Sequence, residues 1–333
     1  MIYIETSCIK STYTGIGKTI KYLVETLKQT GFQIKEVCPD DFHVKETFGY
    51  YNYVLPRFCK RNLTDSDIFL IPNNMGKFWI LPHQRTWVLM HDLIPLSKYG
   101  YCGMKRYLYM YKTRKIKSAQ RIITISHYVK KDLCDKIGVD EDKVRVLYWP
   151  ITVPDIEQPE RNSKQYLSIG TGEPRKCVDF IINNWLSVAP SDATLLLYGG
   201  EWNKGVSHNH IKNLIKNNGI ENRVRLLGRV SDEELSRLYG SSQCFIYPSL
   251  EEGFGLPPLE ALSQGCNIIL PKTPINYELY SGIAQFYSSG DVYELQTAIQ
   301  NSLVIDEKSN IEFSKRFDEN VFKDNVLKVF NYE

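Results

Sequence analysis

The chain has 333 residues, 43% of them hydrophobic, which is enough for two ordinary domains that each bury a core. No apolar run approaches the roughly 20 residues that a membrane-spanning helix needs. The start MIYIETSCIK lacks the cationic and apolar regions of a secretory signal peptide. We therefore expect a cytoplasmic protein. Eight cysteines without a C-x-x-C pair predict reduced thiols and no zinc site.

The charge is distributed unevenly along the chain, although the net charge is only +3. Residues 1–150 hold 24 Lys and Arg against 14 Asp and Glu, whereas residues 151–333 hold 17 against 24. No acid occurs between Asp92 and Asp132, and five tyrosines lie among the basic residues from Lys98 to Lys112. The basic residues between Asp92 and Asp132 are Lys98, Lys105, Arg106, Lys112, Arg114, Lys115, Lys117, Arg121, Lys130 and Lys131.

Two interpretations fit this acid-free segment, which runs from Leu93 to Lys131. Basic side chains with aromatic neighbours suit an anionic membrane surface, where each Lys or Arg contributes about 1 kcal/mol. A solvated helix face has the same composition. No nucleic-acid-binding motif accompanies the charge, so nucleic acid is not an expected partner.

Short apolar runs alternate with longer helical patterns in two successive series, which is typical of parallel sheets covered by helices. Pro150, Pro154 and Pro159 lie in a polar stretch between the series and mark the linker. We predict two doubly wound α/β domains, 1–150 and 151–312, with the ligand where the carboxyl ends of both sheets face a cleft. The predicted strands are Ile2–Ile4, Gln33–Val37, Ile68–Pro72, Trp87–Met90, Arg121–Ser126, Val144–Tyr148, Tyr166–Ile169, Thr194–Tyr198, Val224–Leu227, Cys244–Tyr247 and Asn267–Leu270.

A glycine pair opens the first long helical pattern. The segment TGIGKTIKYL places Gly15 and Gly17 ahead of a predicted helix, where glycines let an anion approach the backbone N–H groups. The Walker A motif requires a glycine five residues before Gly17, and Thr12 stands there. The segment is therefore not a P-loop.

Two further segments place polar side chains at the carboxyl ends of predicted strands, the edge where open α/β sheets bind ligands. His91 and Asp92 follow the strand TWVLM, and a hydrogen-bonded structural histidine is the alternative interpretation. TGEPRKCVDF sets Arg175 and Lys176 between a turn and a helical pattern, where two cations suit a diphosphate. The positive end of the helix dipole disfavours a merely solvated pair at that position.

Glu252 and Glu260 stand eight residues apart in SLEEGFGLPPLEAL. Between them, a Gly253–Gly255 turn leads to a helix start, because Pro257 and Pro258 are tolerated in a first helical turn. Unpaired N–H groups at such a turn attract an anion. A surface turn followed by an acid in the first helical turns is the alternative.

Taken together, these segments resemble the retaining glycosyltransferases of family 4, which have the GT-B fold of two Rossmann-like domains. The spacing Glu252-x7-Glu260 matches the E-x7-E segment of that family. MHDLIP is similar to its H-D-x-x-P, and EPRK to its phosphate-binding basic residues. NRVRLLGRVSDEEL is similar to the segment that borders the nucleotide base. The likeness extends in the right order over nearly the whole chain.

The resemblance implies roles for particular residues. Three residues would be catalytic: Glu252 and His91 at the transferred sugar, and Lys176 at the phosphates. Arg175 would replace an arginine that many members carry where this chain has Thr171. Glu260 would bind the ribose. The implied donor-binding residues are Arg175, Glu260, Gly15, Gly17, Gly228, Arg229, Val230, Gly253, Phe254, Gly255 and Leu256.

The resemblance also implies the reaction: transfer of a sugar, with retention, from a nucleotide-diphosphate sugar to a glycan or a polyprenyl-diphosphate-linked acceptor. GDP-mannose is the expected donor, with neither metal nor cofactor. The first domain would lie on the acceptor side, the second would bind the nucleotide sugar, and a helix in residues 313–333 would cross back to the first. The enzyme would be cytoplasmic or peripheral on the inner face of the membrane. A non-catalytic GT-B subunit and a nucleotide-sugar epimerase are the alternatives.

Two acidic clusters could be mistaken for metal sites. Asp65-Ser66-Asp67 has the D-x-D pattern of the other large glycosyltransferase fold, and Asp140-Glu141-Asp142 is a compact acidic run. Each precedes a predicted strand, so we interpret both as solvated caps. Ser126 and the pair Ser231 and Glu234 are likewise predicted to cap helices.

Overall fold

The computed structural model describes residues 1–10, 15–46, 48–72, 78–152, 154, 156–157, 159–199, 206–304 and 306–331. The chain divides into two compact units. The first unit comprises residues 1–149 and 320–333, and the second comprises residues 150–319.

The first unit contains a six-stranded sheet in which every neighbouring pair is parallel. Its order is β2-β1-β3-β4-β5-β6. Strands β1, β3, β4 and β5 are almost entirely buried, as expected for apolar runs covered on both faces. The strands are β1 Ile2–Glu5, β2 Ile34–Val37, β3 Ile68–Ile71, β4 Thr86–Met90, β5 Arg121–Thr124 and β6 Val144–Val146; the helices are α1 Gly15–Gln29, α2 Leu55–Asn62, α3 Gly103–Thr113 and α4 His127–Asp132.

The second unit is built on another parallel sheet, of order β12-β11-β10-β7-β8-β9. Its core joins these strands to α5, α6 and α10 around the fully buried Trp185. The strands are β7 Asn162–Ile169, β8 Thr194–Tyr198, β9 Val224–Gly228, β10 Ser242–Ile246, β11 Asn267–Pro271 and β12 Gln285–Tyr287; the helices are α5 Val178–Val188, α6 Val206–Asn217, α7 Asp232–Ser241, α8 Leu256–Ser263, α9 Pro274–Tyr280, α10 Val292–Asn301 and α11 Glu307–Ser314.

The expectation of two doubly wound, Rossmann-like parallel sheets is confirmed, and each predicted strand overlaps an observed one. Strand β12 was not predicted, because three residues are too short for a periodic signal. Two predicted caps are also present: Ser126 Oγ accepts from Val129 N–H at 3.1 Å, and Ser231 forms a capping box with Glu234.

The helix expected in residues 313–333 begins later than predicted, after a break. Helix α11 ends at Ser314, a 3-10 turn spans Lys315–Phe317, and α12 covers Glu319–Phe330. Phe317 packs on Phe254 in the second unit, whereas Phe322 packs on Tyr22 in the first. A continuous amphipathic pattern did not reveal the break because its apolar residues belong to two different cores.

Strands β7 and β10 lie side by side at the centre of the second sheet, and the strand order reverses between them. At such a switch point, the loops after the two strands diverge to opposite faces and leave a crevice. These loops carry the segments EPRK and EEGFG. The fold therefore brings the two most informative motifs of the sequence to one edge of one sheet.

Candidate active site at the carboxyl edge of the second sheet

The loops after β7 and β10 are joined directly by their backbones. Leu250 N–H donates to the Arg175 carbonyl at 2.8 Å. Pro174–Lys176 form a 3-10 turn, and Cys177 then takes left-handed dihedral angles, with φ +47°, before α5 begins. A non-glycine residue in this region is strained, and such strain concentrates at functional sites. The turn holds Arg175 and Lys176 towards the neighbouring loop.

One carboxylate oxygen organises the site. Oε1 of Glu252 accepts hydrogen bonds from Lys176 Nζ at 2.5 Å and from an Arg175 guanidinium nitrogen at 2.9 Å. The same oxygen accepts from Ser249 Oγ at 2.6 Å and from Tyr247 Oη at 2.8 Å. Among the described residues, Oε2 of Glu252 has no hydrogen-bond partner. One oxygen thus positions the carboxylate, and the other is available to a ligand.

Little of the central ion pair reaches solvent: the side chains of Lys176 and Glu252 are 9% and 14% exposed. Burial alone would raise the pKa of the Glu252 carboxyl, but the charges of Lys176 and Arg175 outweigh it and hold the pKa below its usual value. Burial lowers the pKa of the Lys176 ammonium, although Glu252 opposes that shift. The site therefore holds an ionised carboxylate against two cations.

Arg175 is fixed by three oxygens besides its own backbone contacts. Its guanidinium contacts Glu252 Oε1, the Glu251 carbonyl at 3.1 Å and Glu173 Oε2 at 2.8 Å. The Thr171 hydroxyl, at the position where the resembled family often has arginine, is buried and has no hydrogen-bond partner among the described residues.

Tyr247 and Ser249 are functional candidates that the sequence analysis missed. The Tyr247 hydroxyl donates to Glu252 and accepts from Lys176 Nζ at 2.8 Å, so it bridges the two charges. The Lys176 ammonium also lies 4.9 Å from the centre of the Tyr247 ring. Tyr247 directly follows β10, which ends at Ile246, and Ser249 comes two residues later. Their place at the carboxyl end of a central strand was the available signal.

The predicted glycine turn leads into α8 as expected. Gly255 has φ +89°, a left-handed conformation that glycine adopts without a Cβ penalty. Its carbonyl accepts a hydrogen bond from Tyr280 Oη at 2.5 Å, and Leu256 begins the helix. Gly253 and the Phe254 side chain are buried, and the Phe254 ring packs edge-on against Phe317. Phe254 can therefore offer a ligand its backbone but not its ring.

Glu260 lies on α8, about one helical turn after the helix begins at Leu256. Its Oε2 is 3.4 Å from Tyr239 Oη, and that hydroxyl is 2.7 Å from Tyr198 Oη. Burial raises the pKa of Tyr280, and the carboxylates of Glu260 and Glu252 add to the rise. Because Tyr280 senses both charges, both glutamates of the E-x7-E segment belong to this edge of the second unit.

The three residues predicted at the base lie at the end of edge strand β9. Gly228 is the last residue of β9, has φ +73° and accepts from Gly199 N–H at 2.8 Å. Arg229 is exposed and Val230 is half-buried. Residues 200–205, which follow the neighbouring strand β8, lie outside the described residues.

The remaining predicted residues belong to the first unit. The His91 side chain is 4% exposed, its ring stacks on Trp149 at 5.9 Å, and its Nε2 is 3.0 Å from the Pro72 carbonyl. Burial lowers the pKa of His91 to about 4, so the ring is neutral at pH 7. Since a carbonyl only accepts, Nε2 carries the proton.

The glycine pair does not precede its helix as the sequence predicted. Helix α1 begins at Gly15, so Gly15 and Gly17 both lie in its first turn. The preceding residues 11–14 lie outside the described residues. Glycine is a poor helix former, and the pattern rule therefore assigned the pair to a loop.

The acidic clusters act as caps. Asp67 Oδ2 accepts from the Thr64 N–H at 2.7 Å, which is the main reason that its pKa falls to about 2. Asp67 is buried and hence not solvated as expected. Asp140 caps a short 3-10 turn through Asp142 N–H at 3.1 Å. Within the described residues, no group of three or more His, Cys, Asp or Glu side chains is arranged to hold a metal ion.

This arrangement of fold and site agrees with the family comparison. The chain belongs to the glycosyl transferases group 1 family, which matches residues 153–320. Residues 13–153 match Glycosyltransferase Family 4. The expected membership of a glycosyltransferase family is thereby confirmed, and retention stays a prediction.

Named relatives narrow the comparison further. The O-antigen chain mannosyltransferase RfbU of Salmonella typhimurium is 26% identical over 214 residues, which cover 64% of this chain and 60% of that protein. O-antigen chain mannosyltransferase B of Escherichia coli is 27% identical over 247 residues, covering 68% and 64%. The matches thus span less than two thirds of these relatives' length.

The fold is that of GT-B glycosyltransferases. The solved structure of the apo lipopolysaccharide outer core galactosyltransferase WaaB matches with a TM-score of 0.73 at 16% identity, over 100% of this chain and 99% of that one. None of the helices in the described parts of the chain combines the length and hydrophobicity needed to cross a bilayer.

Proposed function

We propose that the chain is a retaining, metal-independent mannosyltransferase that moves mannose from GDP-mannose to a glycan or a polyprenyl-diphosphate-linked glycan. The observation that carries the proposal is the meeting of Lys176, Arg175 and Glu252 at the carboxyl edge of the second sheet. The choice of mannose is supported by the names of the two O-antigen mannosyltransferase relatives.

The two cations supply the charge stabilisation that the reaction needs. When the bond between mannose and diphosphate breaks, negative charge grows on the leaving diphosphate. Lys176 and Arg175, fixed in advance by Glu252 and Tyr247, stabilise that charge without reorganising. The start of α8 after Gly255 adds backbone N–H groups and the positive end of a helix dipole.

Glu252 is proposed to position the sugar and not to attack it. Its Oε1 is saturated by four donors, so its remaining oxygen is the one available to a sugar hydroxyl. We assign no covalent nucleophile, and the departing diphosphate helps to remove the proton of the acceptor hydroxyl. Glu260 is proposed to bind the ribose.

The remaining donor contacts follow the family resemblance. We propose that Gly228, Arg229 and Val230 border the base. The backbone of residues 253–256 is proposed to contact the diphosphate. In the first unit, His91 is proposed to contact the sugar. Gly15 and Gly17, at the start of α1, are proposed to approach the diphosphate.

We also propose that the protein works in the cytoplasm as a peripheral protein on the inner face of the membrane. The acid-free segment Leu93–Lys131 supports this proposal, because its ten basic residues complement an anionic surface. Residues 1–150 would form the acceptor side, and residues 151–312 would bind the nucleotide sugar.

The test is a donor screen with the purified chain. GDP-mannose at 100 times its dissociation constant should stabilise the fold by about 2.7 kcal/mol, and UDP-sugars should not. The chain should then release GDP from GDP-mannose, faster with a lipid-linked glycan acceptor and equally fast with a chelator. Preference for a UDP-sugar would contradict the proposed donor. Turnover that depends on magnesium would contradict the proposed metal-independence. Binding without turnover would favour the alternative of a non-catalytic subunit. Release of an epimerised sugar would favour the alternative of an epimerase.

A further inference from the structure

Four aromatic rings from three separate segments meet in the first unit; Phe48, Tyr53 and Tyr111 are exposed, and Trp79 is half-buried. Tyr53 lies 6.0 Å from Phe48, Phe48 lies 6.2 Å from Trp79, and Trp79 lies 6.1 Å from Tyr111, measured between ring centres. We call these four residues the aromatic row. Three of them lie outside the acid-free segment 93–131, so the sequence pattern did not include them.

Cations accompany three of the four rings. The Arg57 guanidinium is 6.0 Å from the Tyr53 ring centre, Lys112 Nζ is 4.8 Å from that of Trp79, and Lys115 Nζ is 5.0 Å from that of Tyr111. In each pair the charged head of the cation lies over the face of the aromatic ring.

Helix α3 extends the row with an apolar stripe. Met104, Tyr107, Leu108 and Tyr111 follow the i, i+3, i+4, i+7 spacing of one helical face, and all four are exposed. Met104 and Tyr107, at 70% and 58%, are more exposed than a soluble surface favours for such side chains. Tyr111 belongs to both the stripe and the row, so the two form one continuous surface.

An open cavity of about 340 Å³ adjoins the row and has a mixed polar and apolar lining. Trp79, Ile80 and Lys115 contribute to its walls, together with Gln84 and Ser118.

We propose that the aromatic row and the α3 stripe together insert into the interface of an anionic lipid bilayer. Helix α3 would lie in the plane of the headgroups, with Lys112 and Lys115 at the lipid phosphates. This inference rests on the peripheral membrane partner proposed above and specifies its contact surface. A second copy of the chain is a poorer occupant, because residues 1–150 hold 24 basic against 14 acidic side chains and would repel each other.

The aromatic row would add a contribution to membrane binding that lysines alone cannot supply. Lysines alone attract a protein to an anionic surface within a Debye length, about 8 Å at physiological ionic strength. Aromatic rings seated among headgroups add a contribution that salt does not screen, because it comes from buried apolar area. The proposal therefore predicts a salt-resistant fraction of binding that depends on the aromatic residues.

The experiment is co-sedimentation of the full chain with vesicles of phosphatidylglycerol and phosphatidylcholine, and with phosphatidylcholine alone. Lys112→Ala with Lys115→Ala should weaken binding to the anionic vesicles about 30-fold, from about five-fold per lysine. Phe48→Ser with Tyr53→Ser should weaken it on the order of ten-fold, from the lost apolar area. This second loss should persist at high salt.

Matched controls lie in the second unit. Lys212→Ala with Lys216→Ala removes two exposed lysines of α6, and Tyr293→Ser removes a tyrosine that is 83% exposed. Each control should change binding less than two-fold. Circular dichroism should show that every variant is folded.

Two outcomes would overturn the inference. If Phe48→Ser with Tyr53→Ser binds as tightly as the unchanged chain, the row does not contact lipid. If the unchanged chain dimerises without lipid and these substitutions abolish the dimer, the occupant is a second copy. Because the assay contains no nucleotide sugar, its outcome is independent of the transferase activity.

Discussion

Glu252 and Glu260 occupy such different surroundings that their amide variants should fail in different ways. Glu252→Gln removes the charge that holds Lys176 and Arg175 at the proposed diphosphate site. It should lower kcat by more than it raises KM, and Lys176→Ala should do likewise, with a loss on the order of 2 to 4 kcal/mol. Glu260→Gln, at the proposed ribose contact, should mainly raise KM. Steady-state kinetics with GDP-mannose would measure both effects.

Folding must be checked for these variants, because removing Glu252 leaves a buried ammonium without its main counter-charge. Glu251→Gln is the matched control: it changes the adjacent acid but leaves the four donors on Glu252 in place. Near-normal turnover of folded Glu252→Gln and Lys176→Ala would contradict the assignment of the site.

The buried ion pair also predicts the pH dependence of kcat/KM. The proposed mechanism needs Lys176 protonated and Glu252 ionised. Burial lowers the pKa of Lys176, so activity should fall on the alkaline side at a pH below the 10.5 of an ordinary lysine. The pKa of Glu252 lies below its ordinary 4.5, so the acidic fall should come below pH 4.5.

Lys176→Arg separates this lysine from other groups, since a guanidinium remains protonated above pH 12. The alkaline fall should move upward in that variant, whatever its absolute rate. Tyr247 does not compete for the assignment, because burial raises its pKa well above the ordinary value and it stays protonated. An alkaline fall at the same pH in Lys176→Arg would show that another group titrates.

Charged residues of the site could be found from the sequence, whereas their neutral partners could not. Lys176, Arg175 and Glu252 stand beside glycine and proline turns, where unpaired N–H groups and cations predict an anion. Tyr247 and Ser249 continue an apolar strand and look like core or turn residues. Only the folded loop after β10 shows that their hydroxyls donate to the same carboxylate oxygen.

Among the elements, regular strands were predictable and interruptions were not. Buried parallel strands such as β4 and β10 contain apolar runs, and these runs located the strands of both units along the chain. Strand β12 is too short for a pattern, and α1 starts at a glycine that propensity assigns to a loop. The break before α12 depends on which core each phenylalanine enters, a tertiary property.

The turn that starts α8 offers a test of backbone geometry apart from side-chain contact. Gly255→Ala should cost about 1–2 kcal/mol of stability, because φ is +89° there. A Cβ at this position would meet nothing closer than the Tyr247 ring at 3.8 Å, so the cost is conformational and not steric. The strained alanine should shift the turn. Since this turn supplies the proposed phosphate contacts, KM for GDP-mannose should also rise. Thermal unfolding and steady-state kinetics would measure the two effects.

Gly290→Ala is the matched control for this substitution. Gly290 has φ +84° and open space around its Cβ position, but it lies in the loop before α10. It should lose similar stability and keep its KM. Equal KM values for the two variants would show that the turn at Gly255 does not contact the donor.

At the scale of the whole molecule, the C-terminal helix completes the first unit from the far end of the chain. The Phe322 and Phe330 rings of α12 lie near Tyr22 and Trp87, at 5.6 and 5.2 Å between ring centres, and Phe330 also contacts Phe32. The Arg121 guanidinium donates to the Val329 carbonyl at 3.3 Å. The core of the first unit therefore depends on residues that follow the second unit in sequence.

This dependence predicts the effect of truncating one buried ring. Phe322 is fully buried against Tyr22 and Trp149, so Phe322→Ala should cost about 3–5 kcal/mol through lost burial and the cavity left behind. At roughly 2–4 °C per kcal/mol, the unfolding midpoint of the first unit should fall by about 6–20 °C. Val321→Ala, at the exposed neighbouring position of α12, should change it by little. Thermal unfolding followed by circular dichroism makes the comparison, and tryptophan fluorescence reports on Trp149 beside the substitution. If Phe322→Ala unfolds no earlier than Val321→Ala, α12 does not contribute to the core of the first unit, and a chain ending before Glu319 should fold as well as the full one.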